Sequence, residues 1–153
     1  MMAALGEAEK GEKRGEVPIG AIVVLDDVLI GRGCNSPIGL NDPTAHAEIQ
    51  ALRAAAQHIG NYRLVNATMY VTVEPCLMCL GALLHARLSR VVFGCFDEKF
   101  GAAGSLYDLS CDPRLNHRIE ITSGILAEES KKLLRTFFWK KREAMKKNRE
   151  TGE

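Results

Sequence analysis

Apolar residues occur along the chain in two spacings, and the spacing separates strands from helices. Ile19-Gly20-Ala21-Ile22-Val23-Val24-Leu25 is a near-continuous apolar run, the mark of a buried strand. Asp26-Asp27 breaks the run and Val28-Leu29-Ile30-Gly31 resumes it, which predicts a hairpin. Ala67 to Val73 is a third strand, Arg90-Val91-Val92-Phe93 a fourth and Ile119-Glu120-Ile121 a short last one. Helical spacing fills the intervals. Met1 to Gly15 has a weak apolar face (Met2, Leu5) interrupted by Gly6 and Gly11. Asp42 is a good N-cap and Pro43 suits a first turn, so a helix is expected from there to about Ile59. Its expected apolar face is Ile49, Leu52, Ala56 and Ile59, and Gly60-Asn61 ends it. Pro75 opens another helix, Cys76 to about Ala86, and a long one runs from about Ala127 to Lys147. Gly33 to Asn41 and Gly94 to Ser105 read as loops. This order predicts an α/β protein: a five-stranded mixed sheet covered by helices on both faces, in three α/β/α layers. No repeat or linker divides it, so residues 1–153 are expected to form a single domain.

Composition narrows the class. A chain of 153 residues suits one domain, able to bury about 70% of its unfolded surface. No apolar run approaches the roughly 20 residues of a membrane span, and Met1 to Glu16 has no apolar core followed by a cleavage site. The expected location is therefore the cytoplasm, with no membrane partner. Five cysteines without a secretory pattern argue against a disulfide framework. Cys34, Cys95 and Cys111 lack a paired spacing and read as structural or incidental thiols, which leaves Cys76 and Cys79. Net charge is only +1, but Lys131 to Arg149 carries +8 against −7 for the rest. That asymmetry fits a nucleic-acid partner, and equally a solvated helix face.

Candidate chemistry gathers at two helix starts. His46 and Glu48 lie two apart, on nearly opposite sides of a helix, and can converge only near its N-terminal end. Cys76 and Cys79 lie three apart and share a face, again in a first turn. Both positions lower thiolate pKa. Two thiolates and an imidazole leave the fourth position of a tetrahedral zinc open, as catalysis requires. The zinc would draw the pKa of its water from 15.7 towards about 7, and Glu48 would carry the protons. A Cys-x-x-Cys alone could be a redox pair or half of a structural zinc site, and a His-x-Glu alone says little. Together, as H-x-E followed by P-C-x-x-C, they are the signature of zinc-dependent nucleobase deaminases. One zinc per chain is expected, with no organic cofactor. His58, His85 and His117 lack comparable company.

The motifs extend further. Val17-Pro18-Ile19-Gly20-Ala21, Asn35-x-Pro37-Ile38-Gly39, Asp42-Pro43-Thr44-Ala45-His46-Ala47-Glu48-Ile49, Glu74-Pro75-Cys76-x-Met78-Cys79, Arg90-Val91-Val92-Phe93-Gly94 and Gly101-Ala102-Ala103-Gly104-Ser105-Leu106 resemble the bacterial tRNA-specific adenosine deaminases of the cytidine deaminase superfamily. The likeness runs from about Gly15 to the last helix. It implies a cytidine-deaminase-like fold, a homodimer, and hydrolytic conversion of adenosine to inosine at the wobble position of a tRNA anticodon stem-loop. It also implies that Glu48 shuttles protons, that Asn35 contacts the target nucleoside with Ala47 in the same substrate-binding set, and that Asp97 lies near the ribose of a neighbouring nucleotide.

The residues support an RNA substrate independently. An enzyme acting on a base needs it unstacked, and an anticodon loop offers unpaired bases. Phe137-Phe138-Trp139 beside Lys140-Lys141-Arg142 combines stacking surface with phosphate-binding charge. Phe138 and Lys141 are the expected contacts, and at least one of the three aromatics is expected in the core. Asp97 has two readings, a cap for a turn near Gly101 or a reader of a ribose 2′-hydroxyl. Two rival functions fit the same metal residues. A deaminase of free cytidine, deoxycytidylate or guanine has no use for the basic tail. A zinc-stabilised RNA-binding module has no use for Glu48.

Overall fold

A computed structural model describes residues 1–151 of the chain; Gly152 and Glu153, included in the expected domain, lie outside the described residues. The elements are α1 (Met2–Lys13), β1 (Gly20–Leu25), β2 (Val28–Cys34), α2 (Pro37–Leu40), α3 (Ala47–Ile59), β3 (Thr68–Val73), α4 (Leu77–His85), β4 (Arg90–Cys95), β5 (Glu120–Thr122) and α5 (Ala127–Thr151). The five strands form one sheet in the order β2-β1-β3-β4-β5. Asp26 and Asp27 both adopt positive φ, 49° and 62°, between paired Leu25 and Val28. That is the two-residue hairpin turn whose twist matches the strands it joins.

β1 is antiparallel to β2 and β3, whereas β3, β4 and β5 run parallel, so the sheet is mixed as expected. Alternate residues of the strands serve two helical layers. Ala21, Val23, Met69, Val71, Val91 and Phe93 pack into one core with Ala47, Ala51, Leu52 and Ala55 of α3 and Leu80 and Leu83 of α4. α1 and α5 cover the other face, α1 against β1 and α5 against β4. The register brings four chain segments to one edge of the sheet. Gly20 pairs with Cys34, and Val73 with Cys95, so β2, β3 and β4 all end where β1 begins. The C-terminal edge of parallel strands is where open α/β sheets bind ligands.

The helix after the hairpin differs from expectation at its start. Asp42 does not cap it. Its Oδ1 accepts hydrogen bonds from the Thr44 N–H and hydroxyl, at 2.8 and 2.7 Å, and closes a local turn. Such Asx turns compete with helix capping. The chain then extends through His46 (φ −71°, ψ 156°), which is the N-cap of α3. Part of the expected loop is the single-turn helix α2. The buried face is also displaced, with Ala51, Leu52 and Ala55 inside and Ile59 41% exposed. Gly31 and Gly33 explain this. A Cβ on either would overlap the backbone of Ala51 or Ala47, so β2 and α3 approach too closely for large residues between them. The face of α1 is similarly small: Ala4, Leu5, Ala8 and Gly11 are buried, and Met2 is exposed.

Candidate metal centre and nucleobase site

α3 and α4 present their N-termini to one another through their capping residues, His46 and Cys76, with Cys79 in the first turn of α4. His46 Nδ1 lies 3.7 Å from Cys76 Sγ and 3.5 Å from Cys79 Sγ. The three ligand atoms fall within 4.8 Å of one another. Zinc bonds of about 2.0 Å to nitrogen and 2.3 Å to sulfur at a tetrahedral angle would hold N and S about 3.5 Å apart. The donor set therefore fits that ion. Cys79 is buried while His46 and Cys76 are half-buried, which leaves one side of the cluster approachable.

The protonation of these groups follows from their contacts. Hydrogen bonds accepted from Cys79 and, next, from His46 hold the Cys76 thiol down at about 4. The same contact with Cys76, together with burial, pushes Cys79 up. His46 is raised, chiefly by its hydrogen bond to Cys76. A metal that takes both sulfurs as thiolates would release the proton they share. Burial pushes Glu48 up to about 7, close to the operating pH that general acid–base catalysis favours. A bound dication would draw it back down.

Asn35 and Ala47 join the same group. Asn35 Oδ1 accepts the Ala47 N–H at 3.0 Å, which ties the end of β2 to the first residue of α3 and leaves the Asn35 amide N–H2 as its remaining donor. Asn35 is buried and Ala47 wholly so. Asp97 is half-exposed and caps a turn, its Oδ1 accepting the N–H groups of Lys99 (3.0 Å) and Phe100 (3.2 Å). It lines a cleft of about 810 Å³ with Phe96, Lys99, Phe100, Lys131 and Phe138. Lys141 lies elsewhere, with its Nζ 5.3 Å from the centre of the Phe137 ring in a groove beside Glu12. Phe137 is buried, whereas Phe138 and Trp139 are exposed. The structure thus gathers His46, Glu48, Cys76, Cys79, Asn35 and Ala47 in one place, puts Asp97 and Phe138 in a cleft whose lining includes none of those six, and leaves Lys141 outside both.

One residue escaped the sequence reading as an actor, although its motif was noted. Glu74 is buried and accepts the N–H groups of Asp97, Ala103 and Ser105 and the Ser105 hydroxyl. A carboxylate inside an apolar strand end, immediately before the metal segment, was the available signal. All five cysteines are free. His117 has a structural bond, Nε2 lying 2.6 Å from the Leu88 carbonyl.

A family model described as MafB19-like deaminase matches residues 1–142. The tRNA-specific adenosine deaminase of Haemophilus influenzae is 54% identical over 148 residues, 95% of this chain and 85% of that protein. The chain belongs to the MafB19-like deaminases and, among them, to the tRNA-specific adenosine deaminases. The tRNA-specific adenosine deaminase of Bacillus subtilis is 44% identical over 97% of this chain and 94% of its own. A solved tRNA:A34 deaminase, studied for A-to-I editing at the wobble position of transfer RNA, superposes with a TM-score of 0.85 at 43% identity. That match spans 88% of this chain and 97% of the other. The three-layer deaminase fold and the hydrolytic deaminase class expected from the sequence both stand. Among the described residues, no helix of this deaminase is long and apolar enough to cross a membrane.

Proposed function

We propose that the chain converts adenosine to inosine at the wobble position of a tRNA anticodon, using one zinc held by His46, Cys76 and Cys79. The observation that carries this is the buried Glu48 carboxyl beside a three-donor cluster that stays approachable from one side. A structural metal site has no need of an acid–base group there, and the named relatives supply the substrate. When bound, zinc supplies a Lewis acid that makes water a nucleophile near neutral pH. Glu48 takes a proton from the attacking water and delivers it to the adenine ring nitrogen N1. It then carries a proton to the exocyclic nitrogen, which leaves as ammonia. Asn35, its oxygen already engaged by Ala47, has an N–H donor to offer the nucleoside. Asp97 keeps Oδ2 for a neighbouring 2′-hydroxyl while Oδ1 caps its turn.

The exposed rings of Phe96, Phe100 and Phe138 beside Lys99 and Lys131 suit stacked bases and a phosphate path. A homodimer in the cytoplasm belongs to the same reading. Leu77 and Met78 follow Cys76, Leu106 and Tyr107 bond back to Gly101, and all four are exposed around the Cys76–Gly101 bridge. The test is inosine formation on an anticodon stem-loop transcript, with chelator and after zinc is restored. Turnover should stop with chelator and return with zinc, and Cys76→Ala should lose metal and activity together. Turnover of free adenosine, cytidine or guanine without turnover of the stem-loop would overturn the RNA reading.

A further inference from the structure

The most heavily used acceptor in the site is a carboxylate that the chemistry does not consume. Glu74 follows β3, and its own N–H bonds to the Cys95 carbonyl at 2.9 Å, prolonging the β3–β4 ladder. Its carboxylate is buried yet meets no cation in an ion pair among the described residues. Four dipoles compensate it instead. Oε2 accepts the Asp97 N–H at 3.0 Å and the Ser105 hydroxyl, and Oε1 accepts the N–H groups of Ala103 (3.0 Å) and Ser105 (2.9 Å). Buried charge satisfied this way is stable only while every donor stays in place.

Those donors lie at both ends of the segment 97–105. Between them Gly101 passes so close that a Cβ would overlap the Glu74 carboxylate. The segment is also sewn to the metal strand: Gly101 bridges Cys76, and the Ala102 N–H reaches the Pro75 carbonyl at 2.9 Å. Asp97 and Phe100, which line the cleft, therefore stand where Glu74 holds them. Cys76 has separate support, since it caps α4 and its carbonyl receives the Leu80 N–H at 2.8 Å.

We propose that Glu74 is a positioning residue for substrate selection: through Asp97, Ala103 and Ser105 it fixes the wall that meets the nucleotides beside the target base. This rests on the tRNA reading above. Contacts to flanking nucleotides are made equally before and during reaction, so their loss raises KM and spares kcat. Glu74→Gln keeps the shape but turns a donor towards donors. With the stem-loop as substrate, it should raise KM by about tenfold or more, the worth of a hydrogen bond to a charged group. It should leave kcat within about twofold and zinc at one per chain. Ser105→Ala removes one of the four contacts, the hydroxyl's, while the residue 105 N–H stays, and should raise KM less. The double variant should be little worse than Glu74→Gln alone, because both act through one network.

A fall in kcat or zinc at unchanged KM, or additive effects, would overturn the inference and leave Glu74 a structural residue. If Glu74→Gln fails to fold, Ser105→Ala decides alone by the same split of KM against kcat. Wild-type protein that leaves the stem-loop unmodified would refute the tRNA reading itself, a result separable from any behaviour of the variants.

Discussion

Glu48 sits where its charge is opposed, since α3 and the sheet enclose it and burial pushes its carboxyl up to about 7. In metal-free protein this has a cost with a definite sign. The folded pKa lies above the ordinary 4.5, so the neutral form is favoured on folding. That contribution is whole below pH 4.5 and is lost as pH rises through 7. A shift of this size corresponds to about 3 kcal/mol. Urea unfolding of metal-free wild type and Glu48→Gln at pH 5 and pH 8 should show wild type losing about that much more on the alkaline side. Parallel losses in the two proteins would remove the buried charge from the account. With zinc restored, Glu48→Gln should bind metal normally while kcat falls by at least about 10²-fold, the low end for lost acid–base catalysis. Metal loss would make Glu48 a ligand. At this scale the site was legible because its chemistry needs particular residue types at fixed spacings. Glu74 was not, since three of its four contacts are backbone N–H groups and the fourth is the hydroxyl of Ser105, 31 positions away, a pairing that residue types alone do not announce.

Among the elements, the strands and the hairpin were readable from apolar runs broken at Asp26-Asp27, and the turn there needs only two residues with positive φ. The start of α3 was not readable. Asp42 and Pro43 satisfy helix rules locally, but the Thr44 bonds claim Asp42 first. The consequence is favourable for the site, because His46 rather than Asp42 becomes the capping residue. The face of α3 was misjudged for a different reason: the size of residues on β2 decides which side of the helix can come close. Gly33→Ala tests that contact. Its Cβ would overlap the Ala47 carbonyl and press on Ala51 N, at the turn that carries Glu48. Stability should fall by about 1–3 kcal/mol, as for other overpacked contacts, and zinc affinity should weaken with it. A stability loss with unchanged zinc affinity would mean that α3 shifts as a rigid body without moving its first turn.

Over the whole molecule, charge is sorted by position, with most of the positive excess on α5 and negative excess elsewhere. Part of it is paired within the molecule, because Lys140 meets Glu12 of α1 at 3.0 Å at the surface. Replacing Lys140, Lys141 and Arg142 by Ala should therefore flatten the salt dependence of stem-loop binding by about 1.4, two single-strand phosphate contacts at about 0.7 each. Zinc content should not change. An unaltered slope would make the run a solvated face. Sequence could locate this charge but not its internal partner, since Lys140 and Glu12 stand 128 residues apart.

The same separation in sequence governs how the metal cluster comes into being. His46 and Cys76 are 30 residues apart, and the chain between them includes β3, which must insert beside β1 and receive β4. Cys76 and Cys79 stand within one turn of chain, whereas His46 lies on the far side of that strand in sequence. Closing such a loop is charged to chain entropy before the contact rewards it, and non-local pairing of this kind slows folding. An ion held by all three side chains therefore closes a loop of 30 residues across the sheet, and it stabilises the folded chain because the unfolded one does not hold the three together.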